Sequence, residues 1–179
     1  MESRWFEKPF SDSFPLAHLM RSAYPEYWFR IHALPKSKRG PESDNEREIV
    51  FDRFSRFGTA LLGHNSPCLI VQSRLNRFPR SKDLLPSLNW KSIHRVKESD
   101  EDYFDSWAAH TTWNPDELRD VLLAIAEDRE ELIAFVSLAT DCVLVPYDGG
   151  ADGFSFDKER LRKLAEEFSA WASINASGL

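Results

Sequence analysis

Cysteine is scarce in this sequence, with only Cys68 and Cys142 among 179 residues. Each lies inside an apolar run, Cys68-Leu69-Ile70-Val71 and Cys142-Val143-Leu144-Val145. A thiol in such a run behaves as a small hydrophobe. No disulfide is expected, and two sulfurs alone do not close a zinc site. Long hydrophobic runs are missing too. Nothing approaches the roughly 20 apolar residues of a membrane-spanning helix. The start, Met1-Glu2-Ser3-Arg4-Trp5, lacks the basic flank and apolar stretch of a secretory signal. These absences give the expectation of a soluble, cytoplasmic chain without membrane association.

Catalytic signatures are also wanting. The sequence holds no G-x-S-x-G elbow, phosphate-binding loop, dinucleotide fingerprint or H-E-x-x-H pair. The histidines His18, His32, His64, His94 and His110 have no metal-ligand spacing. No metal and no cofactor are therefore expected, and the balance falls against an enzyme, although residues assembled from distant elements would leave no such trace.

What is present fits an ordinary globular chain: 42% hydrophobic and 29% charged residues, which excludes long disorder. Thirteen Phe and six Trp point to an aromatic-rich core. The length suits one domain over 1–179, with 1–10 a loosely docked N-terminal segment anchored by Trp5 and Phe6. A net charge of −6 hides an asymmetry: residues 1–97 hold 17 Lys/Arg against 10 Asp/Glu, and residues 98–179 hold 6 against 19. Either the halves attract one another within one fold, or the acidic half offers a face to a basic partner. An acidic whole argues against nucleic-acid binding.

Periodicity predicts the elements. Residues 14–23 place Leu16, Leu19, Met20 and Ala23 at helical spacing before Pro25. Residues 26–33 read as an aromatic-rich strand, with Arg30 and His32 on one face and Phe29 and Ile31 on the other. Ser43-Asp44-Asn45-Glu46 is a capping box. Val50, Phe54, Phe57 and Leu61 follow as one apolar stripe, and Gly63 is the stop. Residues 68–73 suit a central, doubly covered strand. The stretch 74–100 is polar and basic, with a short strand at 93–96, and 102–112 is an imperfect strand. Asn114-Pro115-Asp116-Glu117 opens a helix. Residues 131–138, 141–146 and 151–156 read as three strands joined by hairpins, followed by a helix from Asp157 that buries Leu161, Leu164, Ala165, Phe168, Trp171 and Ala172. The expected fold is α+β: a mixed, mostly antiparallel sheet of five or six strands with three main helices packed on it.

Three clusters carry chemistry. The most distinctive is Pro146-Tyr147-Asp148-Gly149-Gly150-Ala151-Asp152. Its two glycines permit torsions other residues avoid and close approach of main-chain amides. Asp148 and Asp152 would hold a cation or a basic group, with Arg30 and His32 from a neighbouring strand. The plainer reading is an Asp-Gly hairpin whose acids bond their own turn. The second cluster is basic, Lys36, Lys38 and Arg39 in one loop and Arg74, Arg77, Arg80 and Lys82 in another. These make an anion-attracting patch only if the loops meet; solvated loops are the plainer reading. The third comprises Trp90, Trp107 and Trp113 interleaved with His94 and His110, an interface or simply core.

The segment Arg30-Ile31-His32-Ala33-Leu34-Pro35-Lys36-Ser37-Lys38-Arg39, the 146–152 turn and the ending from Trp171-Ala172-Ser173 to Gly178-Leu179 resemble a bacterial family, domain of unknown function 3885. The resemblance implies an α/β domain, offers no catalytic residues to transfer, and carries an association with immunity-type partners of toxins. The leading expectation is a non-enzymatic protein-binding domain, immunity-type or regulatory, with a basic protein as partner. The alternative is a small-ligand binder or enzyme using Arg30, His32, Tyr147, Asp148 and Asp152.

Overall fold

The structure, a computed structural model, describes residues 13–172. The segment 1–10 with Trp5 and Phe6, and the ending Ser173 to Leu179, lie outside the described residues.

The elements run α1 (Ala17–Ala23), β1 (Trp28–His32), a 3-10 turn (Pro35–Ser37), α2 (Asp44–Leu62), β2 (Ser66–Leu75), β3 (Lys91–Lys97) and β4 (Tyr103–Trp113). They continue through α3 (Arg119–Ala126), β5 (Ile133–Ser137), β6 (Cys142–Tyr147), β7 (Gly150–Ser155), α4 (Lys158–Glu167) and a 3-10 turn (Ser169–Trp171). The strands form one sheet in the order β1-β7-β6-β5-β2-β4-β3. Every neighbouring pair is antiparallel.

The α+β expectation therefore holds, with two corrections. The sheet has seven strands and is wholly antiparallel, and four α-helices accompany it. The short strand expected at 93–96 is the middle of β3, an edge strand with only Val96 buried, so its remaining residues carry no apolar alternation. The fourth helix, α1, has only seven residues and one buried side chain, Met20.

Strand alternation divides the core into two layers. Ile70, Ile133, Phe135, Cys142 and Leu144 share one cluster with Val50, Phe54, Phe57 and Leu61 of α2, Leu122 and Ile125 of α3, and Leu161 and Leu164 of α4. The opposite face, with Val71, Ala134, Val136, Val143, Val145 and Phe154, is covered by Phe14 and by Met20 of α1. The capping box forms at its serine: the Ser43 hydroxyl accepts from Glu46 N at 3.3 Å. The Glu46 carboxylate instead accepts from Glu42 N and from Lys38. Asn114 opens a turn rather than the helix itself; Leu118 N donates to Asn114 O at 3.0 Å, and α3 begins at Arg119. In α4 the buried positions are Leu161, Leu164 and, just beyond its end, Phe168, whereas Ala165, Trp171 and Ala172 are only half-buried. No helix among the described residues is long and apolar enough to cross a membrane.

Part of the charge asymmetry is spent inside the fold. Arg21 and Arg30 pair with Asp152, Arg39 with Asp148, Arg47 with Glu127, Arg74 with Glu130 and Arg95 with Asp105. Basic residues of the first half thus meet acids of the second.

Candidate functional site

The sheet edge formed by β1, β7 and β6 gathers polar side chains on the face that α1 covers. Register puts Arg30 opposite Asp152 and His32 opposite Gly150, and Asp152 and Gly150 in turn opposite Val145 and Tyr147. Alternation sends Trp28, Arg30 and His32 to this face, where a lone strand pattern had already set Arg30 beside His32. Gly150 is obligatory for space. A Cβ there would stand 2.1 Å from the Ile31 carbonyl oxygen and 3.0 Å from the Tyr147 hydroxyl. Neither Gly149 nor Gly150 has a positive φ, so close approach explains Gly150, and the expected left-handed torsion is absent.

Asp152 is fully buried. Its Oδ1 accepts from Arg30 Nε at 2.8 Å, and its Oδ2 accepts from Arg30 Nη2 at 3.4 Å and from Arg21 Nη1. The Arg30 guanidinium lies over the rings of Trp28 and Tyr147, 5.3 and 5.2 Å from their centroids. Burial opposes the Arg30 charge, but the bonds to Asp152 outweigh it and hold the pKa above its ordinary value. Burial first, and then Asp152, pushes the Tyr147 phenol up, so it stays protonated. Burial, followed by the nearby Arg30 and Arg53 charges, lowers the His32 imidazole below its ordinary 6.5.

The loop after β1 is clamped over this edge. Ala33 N donates to Gly149 O at 3.0 Å and Gly40 N to Asp148 O at 3.2 Å. Arg39 grips Asp148 with Nε at 2.8 Å and Nη2 at 2.9 Å. Within the clamp Lys36 and Ser37 adopt φ of 60° and 56°, left-handed torsions that cost non-glycine residues on the order of 1–3 kcal/mol each. Ser37 Oγ reaches His32 Nε2 at 3.2 Å, and Arg53 Nη1 donates to the His32 carbonyl at 2.9 Å. Leu132, across the opening, has φ 54° as well.

Between these parts lies a cleft of about 440 Å³. Its polar wall is His18 and Arg21 of α1, Arg30 and His32 of β1, and Ser37 and Arg39 of the loop. Its apolar wall is Pro15, Ala17, Leu132, Val145 and Pro146, with Tyr147 between. Among the described residues no carboxylate lines it. Of the residues expected from sequence, Arg30, His32 and Tyr147 reach the cleft. Asp152 lies behind the wall as its anchor, and Asp148 is held outside by Arg39. Arg21, His18 and Ser37 were missed, since nothing in a seven-residue helix states which sheet face it covers.

Members of the other clusters are engaged in contacts of their own. Lys38 pairs with Glu42 and Glu46, Arg74 with Glu130, and Arg80 bonds the carbonyls of Ser81 and Leu84 and covers the Trp90 ring. Trp113 is fully buried, packs edge-on against Phe135 and donates to Thr59 Oγ1 at 3.1 Å. His110, by contrast, is exposed beside Leu69 and Ile93. Among the described residues no group of three or more His, Cys, Asp or Glu could hold a metal ion.

The chain belongs to the family described as Domain of unknown function (DUF3885), whose model matches residues 16–175. That span includes the whole cleft wall except Pro15. No curated protein and no solved structure matches the chain.

Proposed function

We propose that this family member binds a small organic anion in the cleft, with a carboxylate or phosphate head on the arginines and an apolar body against Leu132, Val145 and Pro146. The observation that carries the reading is the wall itself: three guanidiniums and two imidazoles face the opening, and among the described residues no acid does. The volume of about 440 Å³ falls in the range of small-molecule sites. Arg21 donates to Asp152 through Nη1 alone, which leaves Nε and Nη2 without a partner among the described residues. A planar guanidinium held in place by a buried carboxylate offers donors to an oxyanion at little ordering cost. The protein-partner reading draws on the acidic second half, of whose carboxylates only some pair with arginines of the first.

The test is thermal unfolding of the chain with phenyl phosphate, succinate and inorganic phosphate, against their uncharged analogues and simple amines. An anion at 100 times its dissociation constant adds about 2.7 kcal/mol, roughly 5–11 °C for a chain of this size. Arg39→Glu, at the exposed rim, should abolish that shift while leaving the unliganded midpoint nearly unchanged. No anion-specific shift would overturn the reading.

A further inference from the structure

We propose that the cleft is also a site of acyl transfer, in which Ser37 Oγ is the nucleophile and His32 Nε2 its general base toward a carboxylic ester bearing an anionic group. This inference rests on the anion-binding reading and names the chemistry of the same site. Three independent features converge on it.

The first is contact. Ser37 Oγ and His32 Nε2 stand 3.2 Å apart and both line the cleft, the nucleophile–base geometry that such chemistry needs. The second is the backbone. Two consecutive non-glycine residues, Lys36 and Ser37, are held at positive φ. Strain of that kind persists where surrounding structure enforces it and concentrates at functional sites. Here the enforcement is visible in Ala33 on Gly149, Gly40 on Asp148, Arg39 on Asp148 and Lys38 on Glu46. Its result is to turn the serine back five residues onto the histidine. The third is charge. The imidazole is held below its ordinary pKa by burial and by Arg30 and Arg53, so its base form is present at neutral pH. The arginines of the wall supply positive charge where an oxyanion would develop. Among the described residues no carboxylate bonds the other ring nitrogen, so the pair is a dyad, positioned through Arg53 on the His32 carbonyl.

The step balances with water as the only co-reactant. His32 Nε2 takes the hydroxyl proton as Ser37 Oγ bonds the ester carbonyl carbon, and the carbonyl electron pair moves onto its oxygen. Collapse breaks the bond to the alkoxide, which leaves with the proton from His32. Water then attacks the acyl-serine carbon and gives a proton to His32. The carbon–Oγ bond breaks, and Oγ regains a proton from His32. The products are a carboxylic acid and an alcohol.

A fluorophosphonate probe, which phosphonylates a base-activated serine and releases fluoride, tests this on the full chain. One adduct is expected, mapped to Ser37, absent in Ser37→Ala and at least tenfold slower to form in His32→Gln. Phenyl phosphate should compete. Wild-type labelling should rise with pH through a midpoint below the ordinary 6.5 of an imidazole. The charged and titratable groups facing His32 are Arg30 on its own strand, Arg53 of α2, His18 and Arg21 of α1, and Arg39 and Tyr147 across the cleft. His18→Gln should therefore leave the midpoint in place. Absence of a Ser37 adduct, or an adduct formed at the same rate in His32→Gln, overturns the dyad. The phenyl phosphate thermal shift in Ser37→Ala keeps the two readings apart: retained, it leaves anion binding standing without the dyad; lost from the wild type, it removes the binding reading itself.

Discussion

Asp152 has two oxygens, no solvent, and two guanidiniums to satisfy. Replacing it with Asn keeps the shape and removes the charge, leaving Arg30 buried without its carboxylate. Breaking a buried pair from one side costs about 3–5 kcal/mol, so Asp152→Asn should lower the urea midpoint sharply. Asp148→Asn should cost no more than about 1 kcal/mol, because its partner Arg39 is 73% exposed. Equal losses in the two variants would refute this ranking of the acids. Cys68 gives a chemical contrast. Burial pushes its thiol up to about 12, so about one molecule in ten thousand carries thiolate at pH 8. Iodoacetamide should leave Cys68 unmodified in the native state and alkylate it in urea. His32 adds a pH signature. Its folded pKa lies below the ordinary 6.5, so the unfolded chain takes the proton first. Its contribution to stability is complete above about 6.5 and is lost as pH falls toward the folded value. Unfolding midpoints across pH 7 to 5 should show that decline, and His32→Gln should flatten it. At this scale the sequence disclosed Arg30, His32, Tyr147 and Asp152 because strand alternation and a glycine-rich hairpin are local signals. Arg21 and Ser37 were illegible because one depends on where a short helix docks and the other on an enforced torsion.

Glycine in a helix interior is normally a weakness, and Gly58 in α2 reverses that rule. An Ala there would gain up to about 1 kcal/mol of helix propensity. Its Cβ, however, would sit 2.1 Å from Trp113 Cζ2, and that indole is fully buried against Phe135 and tied to Thr59. Overpacking a fixed ring typically costs about 1–3 kcal/mol, so Gly58→Ala should be net destabilising in denaturant unfolding. A more stable variant would show that α2 can withdraw from the sheet. The same contact explains which elements were readable. The stripe Val50, Phe54, Phe57 and Leu61 announces α2 because all four residues face one layer. The polar segment after β2 announces nothing, because it is held by polar bonds: Glu130 accepts from Gln72, Arg74 and Ser81. Such long-range polar contacts leave no periodicity. The edge strand β3 shows in the sequence only as a short stretch at 93–96 for the complementary reason, being covered on neither face except at Val96.

Opposite charge in the two halves of the chain works as an internal fastening, with the cleft at the point where it is most buried. Arg39, Arg47 and Arg95 are exposed in their pairs, and such pairs are individually worth no more than about 1 kcal/mol, so they select the pairing of elements more than they hold it. Apolar burial holds it, and burial is uneven across the sheet. Every residue of β5 is buried, as are all of β6 before Tyr147, and these strands lie between both core layers. At one margin β3 is mostly exposed, and at the other β1 carries Arg30. Opening free energies follow local burial, so amide hydrogen exchange should be slowest in β5 and β6 and fastest in β3 and residues 76–90. The strand β1 decides the larger question. If the buried Asp152 pairs only decorate the edge, β1 will exchange as β3 does. If they lock α1, β1 and β7 into one unit, β1 will exchange with the centre of the sheet, and Asp152→Asn will release it selectively. The second outcome is expected, because a preformed anion site requires its arginines to be fixed before the ligand arrives.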